Sequence, residues 1–390
     1  MLNVLNKNNE VKVLAQKFDS SIRDSQGTHV EPINVENFDL DEYAEYEESL
    51  LERNRKFFEE DKSGLLVYRR VRADGVFYDK CRDFKESLAL QLGALKASMQ
   101  YKADIANFLE PWYGIGYIAA SFGADYVWEK DQAPSVKQPF TTAEEILNAD
   151  YKPIAETEIG KHILNMEEYF LEKTKGKLPI SFCDIQAPLN MLSYLLPVTD
   201  LFMEIYDDPD SVKEASELTT TLLIDFLKKQ QELLGDTLAR PGHGFASSRA
   251  FKGAGMSDDN SIMIKSDDYI DLFRESDEKI GETFGGTVYH SCGVWEGKID
   301  MVKGMKHITA ADGAFSIQTD PSPNNPEVFA PEFSGSGIIL NARAVGTCEE
   351  SFPVFEKLWT PETKLIAVTY CKDPKDQEML YDKLHVMADR

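Results

Sequence analysis

From about residue 64 onward the chain alternates short apolar runs with longer stretches in which apolar side chains recur every three or four positions. The short runs predict strands: GLLVYRRV (64–71), ADIANFLE (103–110), LPISFCDI (178–185), HGFASSRA (243–250), GTVYHSC (286–292), HITAADGAFSI (307–317), GIILNARAV (337–345) and KLIAVTYC (364–371). The stretches DKCRDFKESLALQLGALKASMQ, DPDSVKEASELTTTLLIDFLKKQQELLG and SDDYIDLFRESDEKIGETFG carry the helical period. Eight strands alternating with helices predict the α/β class, and a (β/α)8 TIM barrel in preference to an open sheet. The first 62 residues differ. They are highly charged, and Asp39 or Asp41 is placed to cap a helix bearing Tyr43, Tyr46, Leu50 and Leu51. The expected organisation is therefore an N-terminal helical extension, 1–62, and a barrel, 63–390, with no repeat and no Gly/Ser or Pro linker between independent domains.

Charge narrows the partners. The net charge is −25, with 67 acidic side chains against 42 basic, which would repel nucleic acid and anionic membrane alike. No apolar stretch reaches membrane-spanning length, and the start MLNVLNKNNEVKVLAQ lacks the apolar core of a secretory signal. Five scattered cysteines do not make a disulfide framework in a chain of 390 residues. A reducing cytoplasm is the expected setting, and there thiols are free to act as ligands.

In a barrel of this class the chemistry sits at the C-terminal ends of the strands. In YHSCG, His290 and Cys292 lie two positions apart, so on a strand both point to the same side. Cys371 ends the last predicted strand, and a barrel brings it within reach of that pair. One imidazole and two thiolates would leave a fourth position open, the pattern of a catalytic zinc. Cys348, in VGTCEESF, competes as third donor but reads as the start of a helix capped by Thr347; Cys81 and Cys183 read as packing residues. The strand ends also carry Glu110, followed by Pro111, Trp112 and Tyr113, then Asp184 with Gln186, and Arg249. Asp258 and Asp259 follow the glycine-rich loop Lys252–Met256. Glu110, Asp184 and Asp258 are the candidate acid–base groups. Tyr113, Gln186, Asp259 and Tyr289 are the candidate substrate contacts. Arg69, Arg70 and Arg72 at the first strand could meet an anionic substrate, but a solvated face is the preferred reading.

YHSCG, APLNMLSYLLPVTDLFMEIYDDPDSV, GMSDDNSIMIKSDDYIDLF and LIAVTYC resemble the uroporphyrinogen decarboxylase-like superfamily over roughly residues 65–385. That superfamily is a (β/α)8 barrel. It contains decarboxylases as well as zinc methyltransferases that work with corrinoid proteins, among them methylcobamide:coenzyme M methyltransferases. Decarboxylases carry a phrase like R-Q-A-G-R near the first strand; here YRRVRADGVFYDKC stands in its place. Methyltransferases carry H-x-C-G after the fifth strand and a cysteine after the eighth, which the resemblance maps to His290, Cys292 and Cys371. Coenzyme M enzymes often flank the last cysteine with glycine, whereas Cys371 lies between Tyr370 and Lys372, which puts coenzyme M itself in doubt.

The resemblance thus implies a Zn2+ methyltransferase moving a methyl group between a small thiol, methoxy or methylamine compound and the cobalt of a corrinoid. The methylcobalamin-type corrinoid would reside on a partner protein, because none of the six histidines follows an aspartate by two residues as a D-x-H-x-x-G motif requires. A homodimer is one option for its assembly. The alternative is a metal-free decarboxylase of uroporphyrinogen or a related polyacid.

Overall fold

The computed structural model describes residues 27–60, 63–73, 75–130 and 132–389. The first 26 residues of the expected extension lie outside the described residues. Nine short strands form the wall: β1 (Gly64–Arg69), β2 (Ile180–Ser181), β3 (Ile185–Gln186), β4 (Leu238–Ala239), β5 (Ala254–Ser257), β6 (Thr287–His290), β7 (Ile308–Ala314), β8 (Ile339–Ala344) and β9 (Lys364–Thr369). Seven of them make one all-parallel sheet in the order β1-β9-β8-β7-β6-β5-β3.

The remaining gap is closed with little regular ladder. Leu109 bridges Ile180, and β2 pairs with β4. On the other side Asp104 and Asn107 bind the backbone of β1: Asp104 accepts from the Val67 amide at 2.8 Å, and Asn107 donates to the Arg69 carbonyl at 2.9 Å. Side chains here satisfy backbone groups of β1 that a neighbouring strand would otherwise pair. The result is a (β/α)8 barrel.

Two corrections to the sequence reading concern the fourth strand position. The predicted strand 243–250 is a turn-rich loop holding only a bridge from Ser248 to Arg240. The segment read as a glycine-rich loop contains β5 instead. Gly255 is required there: a Cβ would sit 2.3 Å from the ring of Phe245, which fills the barrel interior.

Side chains alternate across the wall as the strand period demands. Leu66, Tyr68, Val288, Ala310, Ile339, Ile366 and Val368 meet inside the barrel, while Leu65, Val67, Tyr289, Ala311, Leu340, Leu365 and Ala367 pack outward against helices. The outer layer includes α2 (Phe84–Ser98), α3 (Glu158–Thr174), α4 (Pro209–Leu234), α5 (Arg274–Phe284), α6 (Cys348–Leu358) and α7 (Pro374–Ala388). Asp208 caps α4 by accepting from the Ser211 amide, and Thr347 caps α6 as the sequence suggested, completing a capping box with Glu350.

Before the barrel comes α1 (Leu40–Glu59), capped by Asp39. It is fastened from both ends of its length. Tyr43 donates to the Asn107 carbonyl at 2.7 Å, and Phe57 joins the interior cluster. Buried Glu47 pairs with the guanidinium of Arg249, whose Nε lies 2.9 Å from Oε1. Arg249 therefore anchors this helix and does not face a substrate. Arg69 and Arg70 are no solvated face either, since both are buried. Arg69 donates to the Cys371 carbonyl at 2.8 Å and lies over the ring of Tyr101. Among the described residues no helix is long and apolar enough to cross a membrane.

Candidate active site

Strand register builds the site. Gln186, Ser257, His290, Asp312 and Asn341 are partners in one row across five neighbouring parallel strands, and the row lies toward the strands' C-terminal ends. With strands about 4.8 Å apart, Gln186 and His290 sit roughly 10 Å from each other along the wall.

The first group in the row centres on His290. Its Nδ1 lies 2.6 Å from Asp312 Oδ2, a carboxylate that is 2% exposed. Asp312 also accepts from Asn341 and from Arg343 Nε at 2.9 Å. With Nδ1 so engaged, Nε2 is turned toward Cys292 Sγ at 3.5 Å and Asp259 Oδ1 at 3.6 Å. Asp259 is held in turn by the Cys292 amide, which donates to Oδ1 at 2.8 Å. One ligand atom each from Asp259, His290 and Cys292 falls within 4.8 Å of the others. Burial lowers the proton affinity of His290, but the hydrogen bond to Asp312 and the contact with Cys292 outweigh it and lift the pKa to about 10. Asp312 moves the other way: burial opposes its charge, yet Arg343 and His290 hold it below the ordinary carboxylate range.

This donor set fits a zinc ion. The atoms are of the right types, and the carboxylate behind Nδ1 fixes both tautomer and ring orientation, as it does behind metal-bound imidazoles generally.

The second group lies at the near end of the row. His243 bridges two carboxylates, with Nδ1 against Glu110 and Nε2 at 3.2 Å from Asp184 Oδ2; the three side chains are only 11–12% exposed. Arg70 Nη2 stands 3.6 Å from Glu110 Oε1. Trp112 Nε1 donates to Asp184 at 3.0 Å, and Gln186 donates to its other oxygen at 3.0 Å. Burial alone would raise the pKa of Glu110, but His243 and then Arg70 bring it down to about 2. Phe77, over which the Arg72 guanidinium stacks, walls the histidine at 5.0 Å between ring centroids. Phe245, two residues on from His243, meets the His290 ring at 6.2 Å and links the two groups.

The expected residues therefore divide. Glu110, Asp184 and Gln186 come together, as do Asp259, His290 and Cys292. Four others do not join them. Asp258 is fully buried on the helix side, where Tyr269 donates to it at 2.6 Å and also bonds Asp277 at 2.7 Å; burial, then Asp277, pushes its pKa well up. Tyr289 has the outward strand parity and shares a hydrogen bond with Ser261 at 2.7 Å. Tyr113 stacks on His162 at 3.5 Å within an aromatic group that includes Tyr126 and Trp128. Cys371 packs outward with Cys348, Leu380 and Leu384, its Sγ 3.5 Å from the Gly346 carbonyl, and burial raises its pKa to about 12.

His243, Asp312 and Arg343 escaped the sequence reading, and Arg70 was read there as part of a solvated face. Asp312 had a signal, since a lone carboxylate in an otherwise apolar strand must be paired when buried. His243 had none beyond its flanking glycines.

Comparison with known proteins accords with this geometry. Residues 63–239 match the uroporphyrinogen decarboxylase family (URO-D). A solved structure of a methyltransferase from Methanosarcina mazei shares the fold of this chain, with TM-score 0.60 over 87% of the chain and 98% of its own length, at 12% identity. No curated protein sequence matches. The URO-D match covers β1, β2, β3 and β4 and so includes Glu110 and Asp184; His290 and Cys292 lie beyond it.

Proposed function

We propose that this URO-D-like protein is a zinc-dependent methyltransferase exchanging a methyl group between a small substrate and a corrinoid carried by a partner protein. The observation that carries the reading is the pairing of His290 Nε2 with Cys292 Sγ at 3.5 Å, backed by Asp312 on Nδ1. The family match and the shared fold with a methyltransferase support it. A zinc ion held by His290 and Cys292 would supply Lewis-acid polarisation of a substrate heteroatom, or deprotonation of a bound thiol.

The chain's own residues do the rest. Asp312 orients His290 and is itself neutralised by Arg343. His243, between two carboxylates, is placed to give a proton to the substrate or take one from it, and Glu110 and Asp184 hold it in position. Phe77, Trp112 and Phe245 keep that region apolar, which strengthens each polar contact within it. The corrinoid partner would cap the open end of the barrel during transfer.

A metal-free decarboxylase is the second reading, favoured by one observation: Arg70 and Arg343 both stand beside carboxylates in the two groups, where an anionic substrate could engage them. Metal analysis separates the two. The methyltransferase reading expects about one zinc per chain, lost in His290→Ala and Cys292→Ala, together with loss of thiol-dependent demethylation of methylcobalamin. Full activity in metal-free protein would sink it.

A further inference from the structure

Resting on the metal reading above, we infer that the third protein ligand of the metal centre is the Asp259 carboxylate and that Cys371 is not a ligand. Two independent observations point the same way. First, Asp259, His290 and Cys292 already present one oxygen, one nitrogen and one sulfur within 4.8 Å of one another. Asp259 is fixed in that place by the Cys292 amide, which donates to Oδ1 at 2.8 Å.

Second, Cys371 belongs to the other side of the wall. On β9, Ile366, Val368 and, just past its end, Tyr370 line the interior, whereas Leu365, Ala367 and Cys371 pack among helix residues Cys348, Leu380 and Leu384. The thiol points to the Gly346 carbonyl at 3.5 Å. To reach His290 it would have to cross the wall and leave a cavity among α6 and α7. His290 also lies on β6, three strands away in the sheet.

Asp259, by contrast, follows β5, the immediate neighbour of β6. Its loop is stitched to the site through the Asp258 amide, which donates to the His290 carbonyl at 2.7 Å.

The exchange of a thiolate for a carboxylate matters chemically. Formal charge at the centre is unchanged, but a carboxylate is the harder donor. The ion keeps more of its positive character, which favours an oxygen or nitrogen ligand from the substrate over a sulfur one.

Cobalt(II) substitution in the full-length protein tests the ligand set, because the thiolate-to-cobalt absorption in the near ultraviolet grows with the number of bound thiolates, while chelator competition reads affinity separately. Cys371→Ala and Cys371→Ser are expected to leave band intensity and affinity as in wild type. Cys292→Ser is expected to abolish the band. Asp259→Asn is expected to weaken binding by more than about 100-fold, beyond what changes outside the ligand set cause, with Asp259→Glu partly restoring it. Loss of about half the band in either Cys371 variant, in protein with unaltered circular dichroism, would overturn the assignment. Wild-type affinity in Asp259→Asn would overturn it as well. Wild-type protein that takes up neither cobalt nor zinc would overturn the metal reading itself, a result distinguishable from a wrong third ligand.

Discussion

Asp312→Asn probes the site most sharply, because one carboxylate serves two charged or ionisable partners as well as Asn341. It receives His290 Nδ1 at 2.6 Å and Arg343 Nε at 2.9 Å, and the side chains of Asp312 and Arg343 are 2% and 11% exposed. Asparagine keeps the volume and one acceptor oxygen but removes the charge. Breaking a buried ion pair from one side costs about 3–5 kcal/mol, and retention of one hydrogen bond places this variant near the lower end. Loss of the carboxylate behind a metal-bound imidazole weakens metal binding by about 10–100-fold. The two effects separate in a double variant. Asp312→Asn with Arg343→Gln removes both charges, so stability of the metal-free protein to urea should recover while zinc affinity, read by chelator competition, stays low. If Asp312→Asn binds zinc as tightly as wild type while losing stability, Asp312 serves Arg343 alone and the orienting role is wrong. If neither quantity changes, the buried pair itself is misread.

Three further outcomes are expected. Glu110, held at about 2 against an ordinary 4.5, contributes stability that is complete above pH 4.5 and lost as pH falls toward 2; thermal melts should show this loss, and Glu110→Gln should flatten it. Of the five cysteines only Cys292 is exposed, so one thiol should react fast with an aromatic disulfide reagent in metal-free protein, disappear in Cys292→Ser, and be protected by zinc. Glu47→Ala should cost about 1.5–3 kcal/mol by freeing α1 from Arg249, and Arg249→Lys should fail to preserve the contact, because an ammonium cannot make the two-pronged bond; unfolding curves of both variants check this.

Much of the barrel was legible because its signals are local. Seven of the eight apolar runs contribute to the wall, and Asp39, Asp208 and Thr347 cap helices where side-chain chemistry says they should. The miss at 243–250 has a physical cause. Phe245 and Ala246 are apolar because they fill the barrel interior from a loop, and apolar composition cannot distinguish that from a strand. The short β5 was hidden by the glycine that makes room for Phe245.

By itself the sequence determined that His290 and Cys292 lie close, two residues apart at a strand end, but β6 stops at His290, and the bend after it, not strand alternation, brings the Cys292 Sγ to 3.5 Å from Nε2. Which of Cys371, Cys348 or Asp259 would meet that pair was not a local matter. It depended on whether each residue's parity pointed into the barrel or out to the helices, and on which strands became neighbours. Only tertiary structure answers that: strand register set Asp312 beside His290 across 22 residues, helix docking set Glu47 against Arg249 across 202, and Cys371 fell on the outward side. Contacts between distant segments are made by the packing of the whole chain, and no short window of sequence contains them.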